Sequence, residues 1–174
     1  MCERPIAALA VIASALCLAS TSLAADRVSG HITRTYVIVE DTDLIGDVTC
    51  EVGNNTPCFS FGAANVELRL NGFTITGRGD AVTGCGGAAF NGEAGITTNS
   101  MSGVVVRGPG VVQRFRGDGI TVAASRDARV AGLTLSTNCM AGVRVLATSF
   151  GTIVEGNVAV RNGASAPGFL CGGI

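Results

Sequence analysis

The stretch "RFRGDG" brings Arg114, Arg116 and Asp118 into one short turn, and "SRDAR" follows with Arg126, Asp127 and Arg129. A guanidinium can grip a carboxylate through two parallel N–H bonds, a geometry that an ammonium does not offer. With Arg144 further along, these residues predict a corner able to hold the carboxylate of an acidic sugar. The alternative for the same residues is a set of solvated ion pairs at turns, each worth little. "RGD" occurs at Arg78 to Asp80 and again at Arg116 to Asp118, but Gly-Asp is favoured in turns whatever the function. The only His is His31, and "CEVGNNTPC" has the wrong spacing for a zinc knuckle, so no metal and no cofactor is expected.

A binding corner needs elements that place it. The chain has 174 residues, enough for one domain with a real core. Its formal net charge is −1, Lys is absent, and the 12 basic residues are all Arg and scattered, which argues against a nucleic-acid partner. Gly is used 25 times, aromatic residues are few, and Val, Ile, Leu and Thr fill much of the rest. That mixture favours short strands joined by tight turns.

Residues 1–25 read as an export signal. Arg4 gives a weakly basic start, "IAALAVIASALCL" from Ile6 to Leu18 is the apolar stretch, and Ser22-Leu23-Ala24 puts small residues at the cleavage positions. Cleavage is expected after Ala24 or Ala25, and no later stretch is long and apolar enough to span a bilayer. The predicted location is therefore secreted, periplasmic or cell-surface, where cysteines are read as disulfides. Cys50 and Cys58 flank a turn-rich loop and form the first expected pair. Cys139 and Cys171 precede repeat starts at similar offsets and form the second, leaving Cys85 without an evident partner.

The repeat is the strongest signal. "VRG" at Val106, "VAG" at Val130 and "VEG" at Val154 return every 24 residues, and Gly-hydrophobic starts fall at Gly95, Gly119, Gly142 and Gly173. Apolar residues alternate within each unit: Ile120 and Val122, Ala128 and Val130, Leu133 and Leu135. Period two means strand. Short strands that each pair with a counterpart one repeat away, about 4.8 Å apart, predict an all-β, right-handed parallel β-helix of about four to five coils. Val106, Val130 and Val154 should stack on one wall, and Ile96, Ile120 and Val143 on another. Asn138 and Asn162 should form a side-chain ladder with Arg114 at the aligned place one coil earlier. Gly72 is expected to match Gly108, and Val158 and Val160 fall out of phase with Leu133 and Leu135, which requires a bulge or a changed turn. Val143 and Val145 point inward on this reading. Arg144 then faces out beside Thr121 and should be nearly dispensable for folding.

"VELRLNGFTITGRG" from Val66 to Gly79, with the Val-x-Gly repeats through Asn162, resembles the secreted right-handed parallel β-helix repeat proteins, a group related in fold to pectate lyases, polygalacturonases and alginate epimerases. The resemblance covers roughly residues 35 to 174 and implies fold more than function, because this fold hosts lyases, hydrolases, epimerases, adhesins and tail-spikes. It implies a capping strand and Cys loop over 26–64 and coils over 65–174. The Asn-x-Asp, Asp-Asp and His-Gly motifs of the hydrolases are absent, as is Asp-Pro-His-Asp of the epimerases, and no acidic cluster of the lyase kind forms on one face.

The final "CGGI" looks like the start of another coil, so the sequence is expected to be the front of a longer chain, or else to associate with itself through an open coil end. The expected function is a secreted or cell-surface module binding acidic polysaccharide through Arg114, Arg116, Asp118 and Arg144. The alternatives are the N-terminal part of a polysaccharide lyase, hydrolase or epimerase, and a structural or adhesive surface repeat.

Overall fold

A strand of three residues with one inward side chain buries too little to hold by itself, so it must find partners in the repeats on either side. In the computed structural model, which describes residues 24–80, 85 and 93–163, every described strand pairs with at least one other, and those inside the stack pair on both sides. In chain order the strands are β1 (Asp26–Ile32), β2 (Tyr36–Ile38), β3 (Thr42–Cys50), β4 (Phe59–Phe61), β5 (Glu67–Arg69), β6 (Thr74–Thr76) and β7 (Ile96–Thr97). They continue as β8 (Val105–Arg107), β9 (Val111–Gln113), β10 (Ile120–Val122), β11 (Arg129–Ala131), β12 (Thr134–Ser136), β13 (Val143–Val145), β14 (Ile153–Glu155) and β15 (Val158–Val160). The described residues are all-β, without helix.

All pairings between these strands are parallel, and they build three ladders. The first face runs from the front half of β3 through β5, β8, β11 and β14, and the second from the back half of β3 through β6, β9, β12 and β15. The third face is β2, β4, β7, β10 and β13. β1 lies along β3 on the outer edge of both of its halves. The arrangement is solenoid-like, a strongly curled sheet around one apolar interior. Residues 26–64 contribute β1 to β4 to these ladders.

The walls come from the alternation. On the first face Leu68, Val106, Val130 and Val154 lie opposite one another in successive strands. On the third, Phe59, Ile96, Ile120 and Val143 do the same. Ile75, Val112, Leu135 and Ala159 line the second. Most of these side chains are buried, each worth about 1.5–3 kcal/mol relative to exposure for a large aliphatic or Phe.

Three expectations are corrected. Leu70 rather than Gly72 lies opposite Gly108, since Leu68 pairs with Val106 and the Leu70 amide donates to Arg107 O at 2.9 Å. Leu70 is buried there because Gly110 has no Cβ to collide with it. The last strand needs no bulge: β15 keeps register with β12, Ala159 takes the inward place, and Val158 and Val160 point outward with 54% and 42% exposure. Val145 is 43% exposed although Val143 is buried. β13 has a neighbour on one side alone, and no described strand covers the outer end of that wall.

The Val-x-Gly repeat turns out to have two physical causes. Gly132 and Gly156 adopt φ of 71° and 61°, the left-handed region that favours glycine. Gly108 does not; its missing Cβ makes room for the carbonyl of Gly132 in the next coil. At the corner after the second face, Arg114, Thr137 and Arg161 take left-handed φ in successive coils. The residue after each turns inward: Phe115, Asn138 and Asn162. Asn138 Nδ2 donates to Asn162 Oδ1 at 3.0 Å and to Val112 O at 3.2 Å, while the Phe115 amide donates to Asn138 Oδ1 at 3.1 Å. The Asn ladder therefore continues into Phe115, not Arg114 as the spacing suggested. The left-handed residue ahead of it shifts the in-and-out phase by one.

Candidate functional site

The corner leading into the third face carries the four predicted binding residues. It is pinned by glycines whose reason is close approach. A Cβ on Gly117 would lie 2.9 Å from Glu93 O, and one on Gly119 would lie 2.7 Å from Gly142 O. Gly117 and Glu93 are aligned in neighbouring coils, and the Gly117 amide donates to Glu93 O at 3.0 Å.

Asp118 is 1% exposed. Its Oδ2 accepts the Thr121 hydroxyl at 2.8 Å and Arg144 Nη2 at 2.7 Å, and its Oδ1 accepts the Ala141 amide at 3.1 Å. Register puts Ala94 below and Ala141 above it, so a single guanidinium supplies the opposing charge. The Arg144 side chain is 41% exposed, and its Nε is buried without a partner among the described residues.

Arg116 turns the other way. Its side chain is 15% exposed; Nε donates to Glu93 Oε2 at 2.6 Å, and Nη2 donates to the same oxygen and to Asn54 Oδ1 at 2.8 Å. Glu93 is fully buried, with Arg78 Nη2 also 3.5 Å from Oε2, while Oε1 has no partner among the described residues. Arg78 further donates to Val52 O at 2.5 Å, which ties the Cys50–Cys58 loop to this cluster. Arg114, nearly half exposed, donates to Gly79 O at 3.3 Å and lies 3.7 Å from Asp80.

The predicted residues are thus gathered at one corner but committed to different partners: Arg114 to Asp80, Arg116 to Glu93, Arg144 to Asp118. The second RGD triplet cannot present its Asp, which is buried, and the two triplets pack on each other, with Gly79 against the backbone of Arg116. Glu93, Arg78 and Asn54 were missed as partners. Glu93 offered one signal, a charge two residues before a repeat start where the next repeat carries Gly117.

Beside this corner, the outward positions of the third face form a row: Val37, Ser60, Thr97, Thr121 and Arg144 in successive strands. Ser60 and Thr121 are each only 8% exposed although they point away from the core, so the row is recessed at these two positions, while Val37 at its far end is exposed. The outward side of the first face is instead an ion-pair lattice. Arg69 meets Asp41 at 2.6 Å, Glu67 at 2.9 Å and Asp43 at 3.3 Å, Arg107 pairs with Glu67, and Arg129 pairs with Glu155.

Cys50 and Cys58 are bonded. The second disulfide joins Cys139 to Cys85, which corrects the expected Cys139–Cys171 pair; Cys171 lies outside the described residues, as do residues 1–23 of the expected leader at 1–25 and the expected repeat start at Gly173. Cys139 is buried at the corner above Phe115, and its amide donates to Phe115 O at 2.8 Å, so the bridge fastens Cys85 to that corner. Among the described residues no three His, Cys, Asp or Glu side chains converge as metal ligands would, and His31 pairs with Glu51 at 3.1 Å. No helix among them is long and apolar enough to cross a membrane.

No family model, curated protein or solved structure matches the chain.

Proposed function

We propose that this chain is an exported right-handed parallel β-helix of about 24 residues per coil, similar in fold to the pectate-lyase group, whose third face binds an acidic polysaccharide lengthwise. A right-handed crossover is the overwhelming preference for parallel strands joined within one sheet. The two disulfides are compatible with an oxidising compartment outside the cytoplasm.

The single observation that carries the binding reading is the recessed row of Ser60, Thr97 and Thr121 ending at Arg144. Strands about 4.8 Å apart repeat on nearly the spacing of sugar rings in a chain. The Ser60 and Thr97 hydroxyls can donate and accept, Thr121, whose proton goes to Asp118, can accept, and Arg144 gives one of its five donors to Asp118 and keeps others for a carboxylate. Glu93 and Asp118 are each held by a guanidinium, which favours a binding face over the acid–base pair that a polysaccharide hydrolase or lyase requires.

Affinity electrophoresis in polygalacturonate or alginate, against neutral dextran, tests this. The parent chain should be retarded by the acidic gels alone, and Thr97→Glu, which sets a like charge in the row, should run freely with an unchanged circular dichroism spectrum. Equal migration of parent and variant in every gel sinks the reading.

Self-association through the open coil end has its own support. Val145, Leu146, Phe150, Ile153, Val158 and Val160 are all exposed in the last described coil. Light scattering that shows a monomer at all concentrations would remove it.

A further inference from the structure

Ala24 and Ala25 line a cavity of about 340 Å³ together with Val39, Glu40, Asp41 and Val66. These two alanines are also where the sequence places the end of the leader. A leader cut wants small residues at the last and third-last positions of the released piece. Ser22 and Ala24 satisfy that for a cut after Ala24; a cut one residue later would put Leu23 in the third-last place.

Hydrolysis of the Ala24–Ala25 bond adds water across it: the hydroxyl goes to the Ala24 carbonyl, the hydrogen to the Ala25 nitrogen, and that amine takes up a further proton from solvent. The new ammonium cannot swing far. The next residue, Asp26, is pinned by its amide, which donates to Asp41 O at 2.8 Å, and by its register opposite Thr42. The charged and titratable groups on the elements packed around this end are Asp26 and Arg27 on β1, Tyr36 on β2, Glu40 and Asp41 in the turn before β3, Asp43 on β3, and Glu67 and Arg69 on β5. Carboxylates outnumber guanidinium groups there, and Arg69 is already taken by Asp41, Asp43 and Glu67.

We propose that the Glu40–Asp41 turn is the receptor for the chain's own mature amino terminus: leader cleavage places the Ala25 ammonium in this cavity, where it completes the charge balance and fastens β1 as the first strand of the solenoid. The inference rests on the export reading of residues 1–25. It gives Glu40 a task, since no ion pair within 4.0 Å of it is present among the described residues.

The absence of Lys makes the test clean, because the α-amine is then the only aliphatic amine in the mature chain. The full sequence is produced with its leader and exported, its intact mass is measured, and the rate of single-site acylation by an amine-reactive ester is followed against pH. The expected mass begins at Ala25, and the midpoint of reactivity lies about one pH unit above the ordinary α-amine value near 8, moving back toward it in Glu40→Gln. A chain cut at Ala25 with an ordinary midpoint in both proteins overturns the proposal and leaves the export reading intact. An exported chain cut elsewhere also overturns it, and a chain that keeps residues 1–24 overturns both.

Discussion

Asp118 and Arg144 sit on neighbouring coils, and their 2.7 Å ion pair crosses the third face beside Thr121, the residue directly opposite Arg144 in the ladder. The carboxylate is almost wholly buried while the Arg144 side chain is two-fifths exposed. Asp118 thus depends on a side chain that the alternation alone marked as a free outward cation.

Arg144→Ala should therefore destabilise the fold rather than leave it nearly unchanged. Asp118 would keep the Thr121 and Ala141 hydrogen bonds but lose its opposing charge. Because Arg144 is partly solvated, the cost is discounted from that of a fully buried pair to about 1–3 kcal/mol. Urea unfolding with an unchanged m-value and a lower midpoint is the expected result; coincident curves would mean that Asp118 does not need Arg144.

In the Glu93–Arg116 pair the carboxylate is fully buried and the arginine is more enclosed than Arg144, so the pair should behave more steeply. Arg116→Ala leaves Glu93 with only the more distant Arg78 and should cost about 3–5 kcal/mol. Removing both charges together, in Glu93→Gln with Arg116→Met, should cost clearly less than the single change, because no uncompensated charge stays inside. Additive losses in the double-mutant cycle would contradict the coupling.

The two disulfides differ in the chain length they close, 8 residues for Cys50–Cys58 and 54 for Cys85–Cys139. On the loop-entropy account, Cys139→Ser should lower stability by about 4 kcal/mol and Cys58→Ser by about 2.5 kcal/mol. A non-reducing peptide map should recover the Cys85–Cys139 fragment pair; a fragment joining Cys139 to Cys171 would restore the pairing suggested by repeat spacing.

Near the amino terminus the Tyr36 hydroxyl donates to Asp26 Oδ2. The hydrogen bond from Tyr36, with that from the Arg27 amide, holds the Asp26 carboxyl below the usual carboxylate range. Burial first, and then Asp26, pushes the Tyr36 phenol well above its ordinary value. A depressed acid contributes stability that is present above its unfolded value near 4 and is lost as pH falls. A raised phenol contributes stability that is full below about 10 and is lost as pH rises further. The melting temperature of Tyr36→Phe against pH should show both arms flattened relative to the parent; parallel profiles would show that this bond carries no linkage.

Much of the scaffold is legible in the residues. Ile120 with Val122, and Ala128 with Val130, point inward because successive strand side chains take opposite faces, and the 24-residue return of Val-x-Gly forces like to stack on like. The candidate site is much less so. "RFRGD" shows that charges lie at a corner, but not that Arg116 turns to Glu93 while Asp118 waits for Arg144.

Local alternation decides whether a side chain points in or out, and it is carried by adjacent residues, so the sequence by itself determined the all-β character, the walls of the core and the place of the corners. Which residues meet across coils was decided only by the tertiary structure. One left-handed residue, as at Arg114, shifts the in-and-out phase of the residues after it, and an insertion, as between Gly79 and Glu93, frees the register from the repeat count. Interstrand hydrogen bonds between distant segments then set that register, and with it the partners of Glu93, Cys85 and Asp118.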